Sequence, residues 1–198
     1  MENTTKSRIL EEALIMFAEN GYKGTNLRDL AARLGFSKSA LYKHYSSKED
    51  IWNALLDRME VYYAQRFGST EYLPATPKSC EELFTLTMRM IDFTVNDSRI
   101  ILTRKLLLTE QFHDERVCKL ATKHFLGGTE KMFAVIFEEM MLNGLLKKDD
   151  ATMLAFSYTA PITALVHFCD REPQRQSEAM RQIEKFIRHF IKIYGVKV

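Results

Sequence analysis

Apolar side chains return along this 198-residue chain at the spacing of an α-helix, and this regularity limits the folds open to it. Leu10, Ala13, Leu14 and Phe17 stand at i, i+3, i+4 and i+7, which places all four on one helix face. The same spacing recurs from Ile183 to Tyr194. No stretch shows a convincing two-residue alternation of the kind that marks a half-buried strand. The sequence therefore predicts an all-α protein.

Start and stop signals divide the first third of the chain into short helices. Glycine tolerates the left-handed conformation that ends many helices, so stops are expected at Asn20-Gly21 and at Gly35. Side-chain oxygens that can cap a helix N-terminus are supplied by Thr25, by Ser37 and by Ser47, with Asp50 three residues further on. We expect four helices here, the fourth running over residues 48–66.

The remainder of the chain predicts longer helices. Gly68 to Pro77 indicates a linker or an irregular loop, and helices are expected to resume at about Cys80. Further boundary signals are a break at Gly127-Gly128, a stop at Asn143-Gly144, a cap at Asp149 or Asp150, and a bend at Pro161.

Charge is distributed unevenly. Apolar residues make up 46% and charged residues 27% of the chain, as in ordinary soluble globular proteins, and the net charge is only +2. Between Tyr22 and Lys48, however, six basic residues face a single acidic residue, a local charge of +5. An anionic partner would meet this basic stripe.

Cysteine and histidine positions do not indicate a disulfide framework or a metal site. Cys80, Cys118 and Cys169 are odd in number and far apart, and His113, Cys118 and His124 do not share a helix face. We expect no metal and no cofactor. No charged leader precedes an apolar run and no apolar stretch approaches ~20 residues, so a cytoplasmic location without membrane association is expected.

Catalytic residue patterns are also lacking. His167, Cys169 and Asp170 look like a nucleophile set, but neighbours at i, i+2 and i+3 of one helix cannot all converge. No phosphate-binding glycine loop or paired carboxylates accompany them. We therefore expect that the chain is not an enzyme.

The second and third helices, joined by Gly35-Phe36-Ser37 inside the basic stripe, have the arrangement of a helix-turn-helix, whose second helix can enter the DNA major groove. On periodicity alone, a helical hairpin with solvated charges fits equally well.

The amino-acid sequence of this segment resembles that of the TetR family of transcriptional repressors. The chain reads TNLRDLAARLGFSKSALYKHYSSKE from Thr25 to Glu49, where the family has a threonine, Arg-Asp-Ile-Ala, Gly-Val-Ser, Leu-Tyr-x-His-Phe and Ser-Lys-Glu in the same order. The likeness is strong over about residues 5 to 60; the rest agrees in length and helix pattern. Departures that keep apolar character are Leu30, Phe36 and Tyr45. Ser39 stands where the family often has glycine, so the operator sequence cannot be carried over.

The resemblance implies a helix-turn-helix domain over residues 1–47 and a helical effector-binding and dimerisation domain over residues 48–198, with helix 4 connecting them. It also implies which residues contact DNA. Phosphate contacts fall to the Thr25 hydroxyl, Tyr42 and Lys48, and base edges to Lys38, Ser39, Ala40, Lys43 and His44, with Arg28 also at the interface. Lys43 as ordinary surface and His44 as a structural hydrogen-bonding group stay open as alternatives.

The helices after residue 80 are rich in Phe and Met, which usually means core, although such residues also line adaptable ligand pockets. The resemblance implies a small-molecule effector here. The candidate lining is Met88, Ile91, Phe112, Phe133, Phe137 and Tyr158. We expect a largely hydrophobic or aromatic effector, which can also be cationic.

The last helix carries an apolar stripe too broad for a surface element, and the helix before it is also apolar on one face. In the family these two helices form the dimer contact, which a palindromic site requires. The predicted interface residues are Leu154, Ile162, Leu165, Ile183, Phe186, Ile187 and Phe190.

The function implied is a dimeric repressor that a ligand releases from double-stranded operator DNA. One alternative keeps DNA binding but replaces the ligand by a protein partner, or makes the protein an activator. A remote alternative is an enzyme with a helical N-terminal domain.

Overall fold

The computed structural model describes residues 4–67 and 75–196. Its helices are α1 Thr5–Gly24, α2 Leu27–Arg33, α3 Lys38–Tyr42, α4 Lys48–Phe67, α5 Cys80–Asn96, α6 Ser98–Glu110, α7 Glu115–Thr122, α8 Gly128–Leu142, α9 Ala151–Arg171 and α10 Gln176–Tyr194. Within these residues the only β-type pairing is a single bridge between Leu146 and Gly195. The predicted all-α class is confirmed. Most of the predicted linker, residues 68–74, lies outside the described residues.

The chain forms two compact units. Unit 1 consists of Met1–Arg66 and Ser98–Ala121, and unit 2 of Phe67–Asp97 and Thr122–Val198. Unit 1 thus holds the three N-terminal helices, α6, and all but the last residue of α4 and of α7. The functional division at residue 47 remains a prediction, because a division by packing does not locate DNA-binding and effector-binding roles.

In unit 1, α1 packs along α6, and the buried face of α1 is the one that the sequence predicts. Leu10, Ala13, Leu14 and Phe17 are all less than 9% exposed. α4 adds Ile51, Leu55 and Leu56, and α6 adds Leu106 and Leu107 to the buried set. Removing this apolar surface from water is what holds the short N-terminal helices in place.

The end of α1 departs from helical geometry where the sequence predicts a stop. Gly21 has φ +72° and ψ 172°, and the next amide, Tyr22 N–H, donates to Glu110 Oε1 at 3.1 Å. A Cβ at residue 21 would lie 2.7 Å from that same oxygen and would displace the Glu110 carboxylate, while the positive φ is what requires glycine. Hydrogen bonding of helical type nevertheless continues to Gly24.

Unit 2 is built around an aromatic cluster contributed by α8, α9 and α10. The Tyr158 ring centroid lies 5.2 Å from that of Phe137 and 4.5 Å from that of Phe190. The buried Tyr158 hydroxyl is 2.8 Å from Thr87 Oγ1 on α5, which satisfies its hydrogen-bonding need. Burial raises the pKa of Tyr158.

Helix boundaries from the end of α7 onwards follow the predicted signals. α7 and α8 are separated by a π-helical turn, Lys123–Gly127, and a Cβ at Gly128 would meet Lys123 O at 2.7 Å. Asp150 caps α9 by accepting from Thr152 N and Met153 N. α9, which contains Pro161, is the one described helix long and apolar enough to cross a membrane, but seven of its residues are buried in this unit, and a core helix passes the same test.

His124 in the π-helical turn makes unit 2 sensitive to acid. Burial lowers its pKa from 6.5 to about 4, and the charge of Lys123 acts in the same direction. Below pH 6.5 the unfolded chain therefore binds a proton that the folded chain excludes, so stability is lost as pH falls from 6.5 towards 4. We expect the free energy of unfolding to drop by about 2 kcal/mol between pH 7.5 and pH 5 from this group alone.

Urea unfolding at both pH values, for wild type and His124→Gln, measures this contribution. The substitution should shrink the difference between the two pH values, whatever its effect on stability at pH 7.5. An unchanged difference would remove His124 as its source.

Candidate nucleic-acid interface

α2 and α3 are joined by a turn that only glycine makes without strain. Leu34 N and Phe36 N donate to Leu30 O and Ala31 O, at 3.2 Å and 2.8 Å. Between them Gly35 has φ +71°, with nothing within 4 Å of the position a Cβ would take. The requirement at residue 35 is therefore one of backbone conformation rather than of space. The predicted helix-turn-helix is present in unit 1.

A small set of buried side chains fixes α3 against the rest of unit 1. Leu30 and Ala31 of α2 and Leu41 of α3 are 0%, 2% and 0% exposed. Ser37 caps α3, its Oγ accepting from Ala40 N at 3.1 Å. Because α3 turns only Leu41 fully inward, most of its surface faces solvent.

The outward surface of α3 carries cations and hydroxyl groups and no acidic side chain. Lys38, Ser39, Tyr42 and Lys43 are exposed, and Ala40 is half-buried between them. Lys38 Nζ lies 5.6 Å from the centre of the Tyr42 ring, and Ser39 Oγ lies 3.0 Å from Ser37 Oγ. The half-buried His44 continues this surface beyond α3, and the exposed Arg28 lies on α2. We call Lys38, Ser39, Tyr42 and Lys43 the α3 reading face.

Thr25 corrects the sequence prediction in two respects. It is 1% exposed, and its hydroxyl donates to Met16 O at 3.1 Å and to Gly21 O at 2.9 Å. The residue that caps α2 is Asn26, which accepts from Asp29 N at 2.9 Å. The predicted phosphate contact of the Thr25 hydroxyl is therefore wrong for this arrangement, since that hydroxyl is committed to the end of α1.

Lys48 is also bound within the protein. Its Nζ donates to Tyr22 O at 2.6 Å and to Thr25 O at 2.8 Å, and lies 4.3 Å from the centre of the Tyr22 ring. Burial lowers the pKa of Lys48, an effect that the nearby Glu110 opposes. Two of its three N–H donors thus tie the start of α4 to the end of α1, and we infer that this role takes the place of the predicted phosphate contact.

Arg33 contributes less to the basic stripe than its sequence position suggests. Its guanidinium pairs with Glu12 and with Glu19, each at 3.1 Å. The hydrogen bond to Glu12 raises the pKa of Arg33 most, and the bond to Glu19 raises it further. The charge available to an anion therefore lies mainly with the exposed Lys23, Arg28, Lys38 and Lys43.

The predicted effector-pocket residues do not all come together. Ile91, Phe133, Phe137 and Tyr158 are buried in the core of unit 2, with Met88 packed against them. Phe112 belongs to unit 1 and is 85% exposed, so its assignment to this set was wrong. Aromatic residues at helical spacing do not reveal which unit they belong to.

Most of the predicted dimer residues lie inside the protomer. Leu154, Ile162, Ile183, Ile187 and Phe190 are each no more than 8% exposed in the single chain, so they have almost no surface left to bury against another copy. This part of the prediction is corrected. Two of the predicted residues, Leu165 and Phe186, are half-buried and remain available.

Known proteins resemble this chain in two ways. Residues 9–55 match the sequence model of the family described as bacterial regulatory proteins, tetR family. A biofilm operon icaADBC HTH-type negative transcriptional regulator, IcaR of Staphylococcus epidermidis, is 34% identical over 58 residues, which are 29% of this chain and 31% of IcaR. The chain thus matches about a third of the length of this relative.

Solved structures extend the likeness to the whole fold. SmeT, the repressor of the Stenotrophomonas maltophilia multidrug efflux pump SmeDEF, was solved in complex with triclosan. That structure is 18% identical, with TM-score 0.74 over 98% of this chain and 92% of SmeT.

A transcriptional regulator from Saccharomonospora viridis in complex with choline is 17% identical, with TM-score 0.69 over 99% of this chain and all of that one. Its likeness, too, is one of fold. The sequence match falls on the helix-turn-helix itself, and the described helices share the fold of these regulators over nearly the whole chain. Residues 9–55 of the chain therefore carry the helix-turn-helix segment of the bacterial regulatory proteins of the tetR family, and the described helices have the fold of these regulators.

Proposed function

We propose that this protein is a dimeric transcriptional repressor that binds palindromic operator DNA in the cytoplasm and leaves it when a small molecule binds. The α3 reading face carries the proposal. It presents two lysines and two hydroxyl groups on a helix that only one fully buried side chain anchors, so it can enter a major groove without disturbing the core.

The chemistry of the reading face supports two kinds of contact. Lys38 and Lys43 can approach phosphate oxygens or guanine acceptors, and the Tyr42 hydroxyl can donate to phosphate. Ser39 can hydrogen-bond a base edge, while Ala40 is small enough to contact a thymine methyl group. We expect the lysines and Tyr42 to set the affinity for DNA. Ser39 and Ala40 should set the base preference.

Repression rather than activation is suggested by the relatives. IcaR is named a negative transcriptional regulator and SmeT a repressor. A reporter gene placed behind a promoter that contains the bound site tests this directly. Expression should fall when the chain is produced; a rise would favour the activator alternative.

An effector site in unit 2 is supported by its Phe-rich and Met-rich helices, and by the neighbours solved with triclosan and with choline. These two ligands differ too much to fix the class of effector. Any effector must bind the DNA-incompetent arrangement more tightly than the competent one. Weakening DNA binding a hundredfold requires a preference of about 2.7 kcal/mol.

The dimer surface that we now propose is the outward face of α9. Met153 is 61% and Phe156 43% exposed, and Ala160 and Ala164 follow at helical spacing on the same side. The two alanines allow helices of two copies to approach closely. Leu165 and, on α10, Phe186 flank this face.

Lys48→Ala is expected to weaken DNA binding through structure rather than through charge. Loss of the two hydrogen bonds from its ammonium group should lower the free energy of unfolding by about 1–2 kcal/mol. The slope of log affinity against log salt should stay unchanged, because no phosphate contact is lost. Fluorescence anisotropy over a salt series, beside a urea melt, measures both quantities.

Lys105→Ala is the matched control for Lys48→Ala, since it removes the same charge from an exposed position on α6. It should change neither stability nor affinity. If the slope of log affinity against log salt fell by about 0.9 for each Lys48 replaced, Lys48 would contact a phosphate, as the sequence implied.

A further inference from the structure

A cavity of about 210 Å³ lies within unit 1, between α1, α4 and α6. All three helices contribute to its apolar wall, which consists of Leu10, Leu14, Ile15, Leu55, Met59 and Leu102. The cavity is larger than the ~150 Å³ space that holds a benzene molecule in an engineered protein, and smaller than most drug-sized sites. Its size therefore fits a single substituted aromatic ring.

Thr103 of α6 also lines this cavity, and its hydroxyl differs from those of other buried threonines. Thr87 Oγ1 donates to the carbonyl oxygen of Leu83, four residues earlier, at 2.9 Å. In the same way Thr159 Oγ1 donates to Ala155 O at 2.8 Å. Thr103 is 3% exposed, yet no group in the described part of the chain forms a hydrogen bond with its hydroxyl.

A buried hydroxyl group without a hydrogen-bond partner is unfavourable, so the few that occur in native proteins require an explanation. The position of Thr103 in the wall of an apolar cavity supplies one, because a molecule in the cavity can provide the missing partner. A threonine hydroxyl both donates and accepts, so a ligand hydroxyl can pair with it in either direction.

The charged side chains at the edge of the cavity contact one another. Glu11 Oε1 accepts from Arg58 at 3.0 Å and from Arg99 at 2.8 Å. All three side chains line the cavity and are between a quarter and a half exposed. A neutral molecule can occupy the apolar part of the cavity while these ion pairs stay in place. A charged group would lose its hydration against the apolar wall, which is unfavourable.

We propose that this cavity binds a small neutral aromatic molecule with one hydrogen-bonding group, its ring between α1, α4 and α6 and its polar group on the Thr103 hydroxyl. The site lies in the unit that carries the α3 reading face and is separate from the effector site that we propose in unit 2. Its binding chemistry does not depend on the function proposed above.

Isothermal titration calorimetry with p-cresol tests binding, with p-xylene as a probe of similar shape that has a methyl group in place of the hydroxyl. Thr103→Val should weaken p-cresol binding at least about fivefold, because the phenolic hydroxyl would then be buried without a partner. The same substitution should not weaken p-xylene binding. A purely structural role of Thr103 would weaken the binding of both probes, and that result would overturn the hydrogen bond.

The preference for a neutral ligand is tested with p-toluate, which has a carboxylate in place of the hydroxyl of p-cresol. It should bind at least tenfold more weakly than p-cresol to the wild-type protein. Binding of p-toluate as tight as that of p-cresol, or tighter, would overturn the neutral class.

Urea unfolding of Thr103→Val tests whether its hydroxyl lacks a partner in the free protein. Valine has nearly the same shape and no hydrogen bond is lost, so stability should not fall. Thr159→Val is the matched control, since it removes a buried hydroxyl that is hydrogen-bonded to Ala155 O, and it should unfold at a lower urea concentration. Equal destabilisation of the two variants would contradict an unpartnered Thr103.

Leu102→Phe provides a second route to the same site, because it fills the cavity from a half-buried position. It should abolish the p-cresol binding that Thr103→Val weakens. If p-cresol bound both variants as tightly as it binds the wild-type protein, its site would lie elsewhere in the chain and the proposal would be wrong. A wild-type protein that binds no p-cresol up to the solubility limit would overturn it as well.

Discussion

Replacing Lys38 and Lys43 together with alanine is expected to lower the affinity for operator DNA by at least a hundredfold. Both side chains are exposed on the α3 reading face, and neither is needed to hold α3, which is anchored by Leu41. Each lost contact of a lysine with DNA costs about 1–3 kcal/mol, and a dimer loses four lysines. The slope of log affinity against log salt should also fall, by about 0.9 for each phosphate contact removed.

Fluorescence anisotropy with labelled operator DNA, between 50 and 300 mM salt, gives both affinity and slope. The matched control is Lys131→Ala with Lys148→Ala, which removes the same charge from exposed positions in unit 2. The control should bind as wild type does. If both double variants weakened binding equally, net charge rather than the reading face would set affinity.

Phe156→Asp is expected to convert the dimer to monomers and to abolish binding to a palindromic site. Phe156 is 43% exposed in the single chain, so a charge is tolerated in the free protomer. In the proposed α9 contact, however, two aspartates would face each other after losing water, which is strongly unfavourable. Analytical ultracentrifugation at micromolar concentration measures the change in mass.

Two further variants sharpen this test. Ile187→Asp should unfold unit 2 rather than only separate copies, because Ile187 is fully buried within the protomer. His189→Asp, at an exposed position on α10, should leave the dimer intact. A dimeric Phe156→Asp protein would rule out the outward face of α9 as the interface.

Much of the fold follows from local patterns. The apolar spacing of α1 and the glycines at residues 21, 35 and 144 act over a few residues, and the structure places a helix face or a positive φ at each. The same holds for Ser37 and Asp150, which cap the helices that they precede. Each of these signals depends only on residues that lie close together in the sequence, so it can be recognised without the structure.

Side-chain partners distant in sequence could not be predicted. The carbonyl groups that bind Lys48 lie 23 and 26 residues away, and the Glu12 that pairs with Arg33 lies 21 residues away. A local basic stripe therefore marks the helix-turn-helix segment but not which of its cations face solvent. The same limit explains Thr25, a hydroxyl residue beside a helix start whose donor is used by the preceding helix.

Periodicity also does not distinguish a core face from an interface. The stripe on α10 that includes Ile183, Ile187 and Phe190 is broad because the protomer's own core requires it. The surface that we propose for a second copy is marked by exposed Met153 and Phe156 on α9, which the sequence pattern alone does not separate from their buried neighbours. Only the burial of each side chain within the folded unit makes that distinction.

Selection of bound sequences from a random DNA library tests the central claim most directly. Two α3 reading faces related by a two-fold axis should read two half-sites about 34–36 Å apart, so successive rounds should converge on an inverted repeat. The same selection with the Lys38→Ala, Lys43→Ala protein should recover no enriched sequence. A wild-type pool that never converges, or that converges on a single unrepeated motif, would contradict a dimeric, sequence-specific DNA-binding protein.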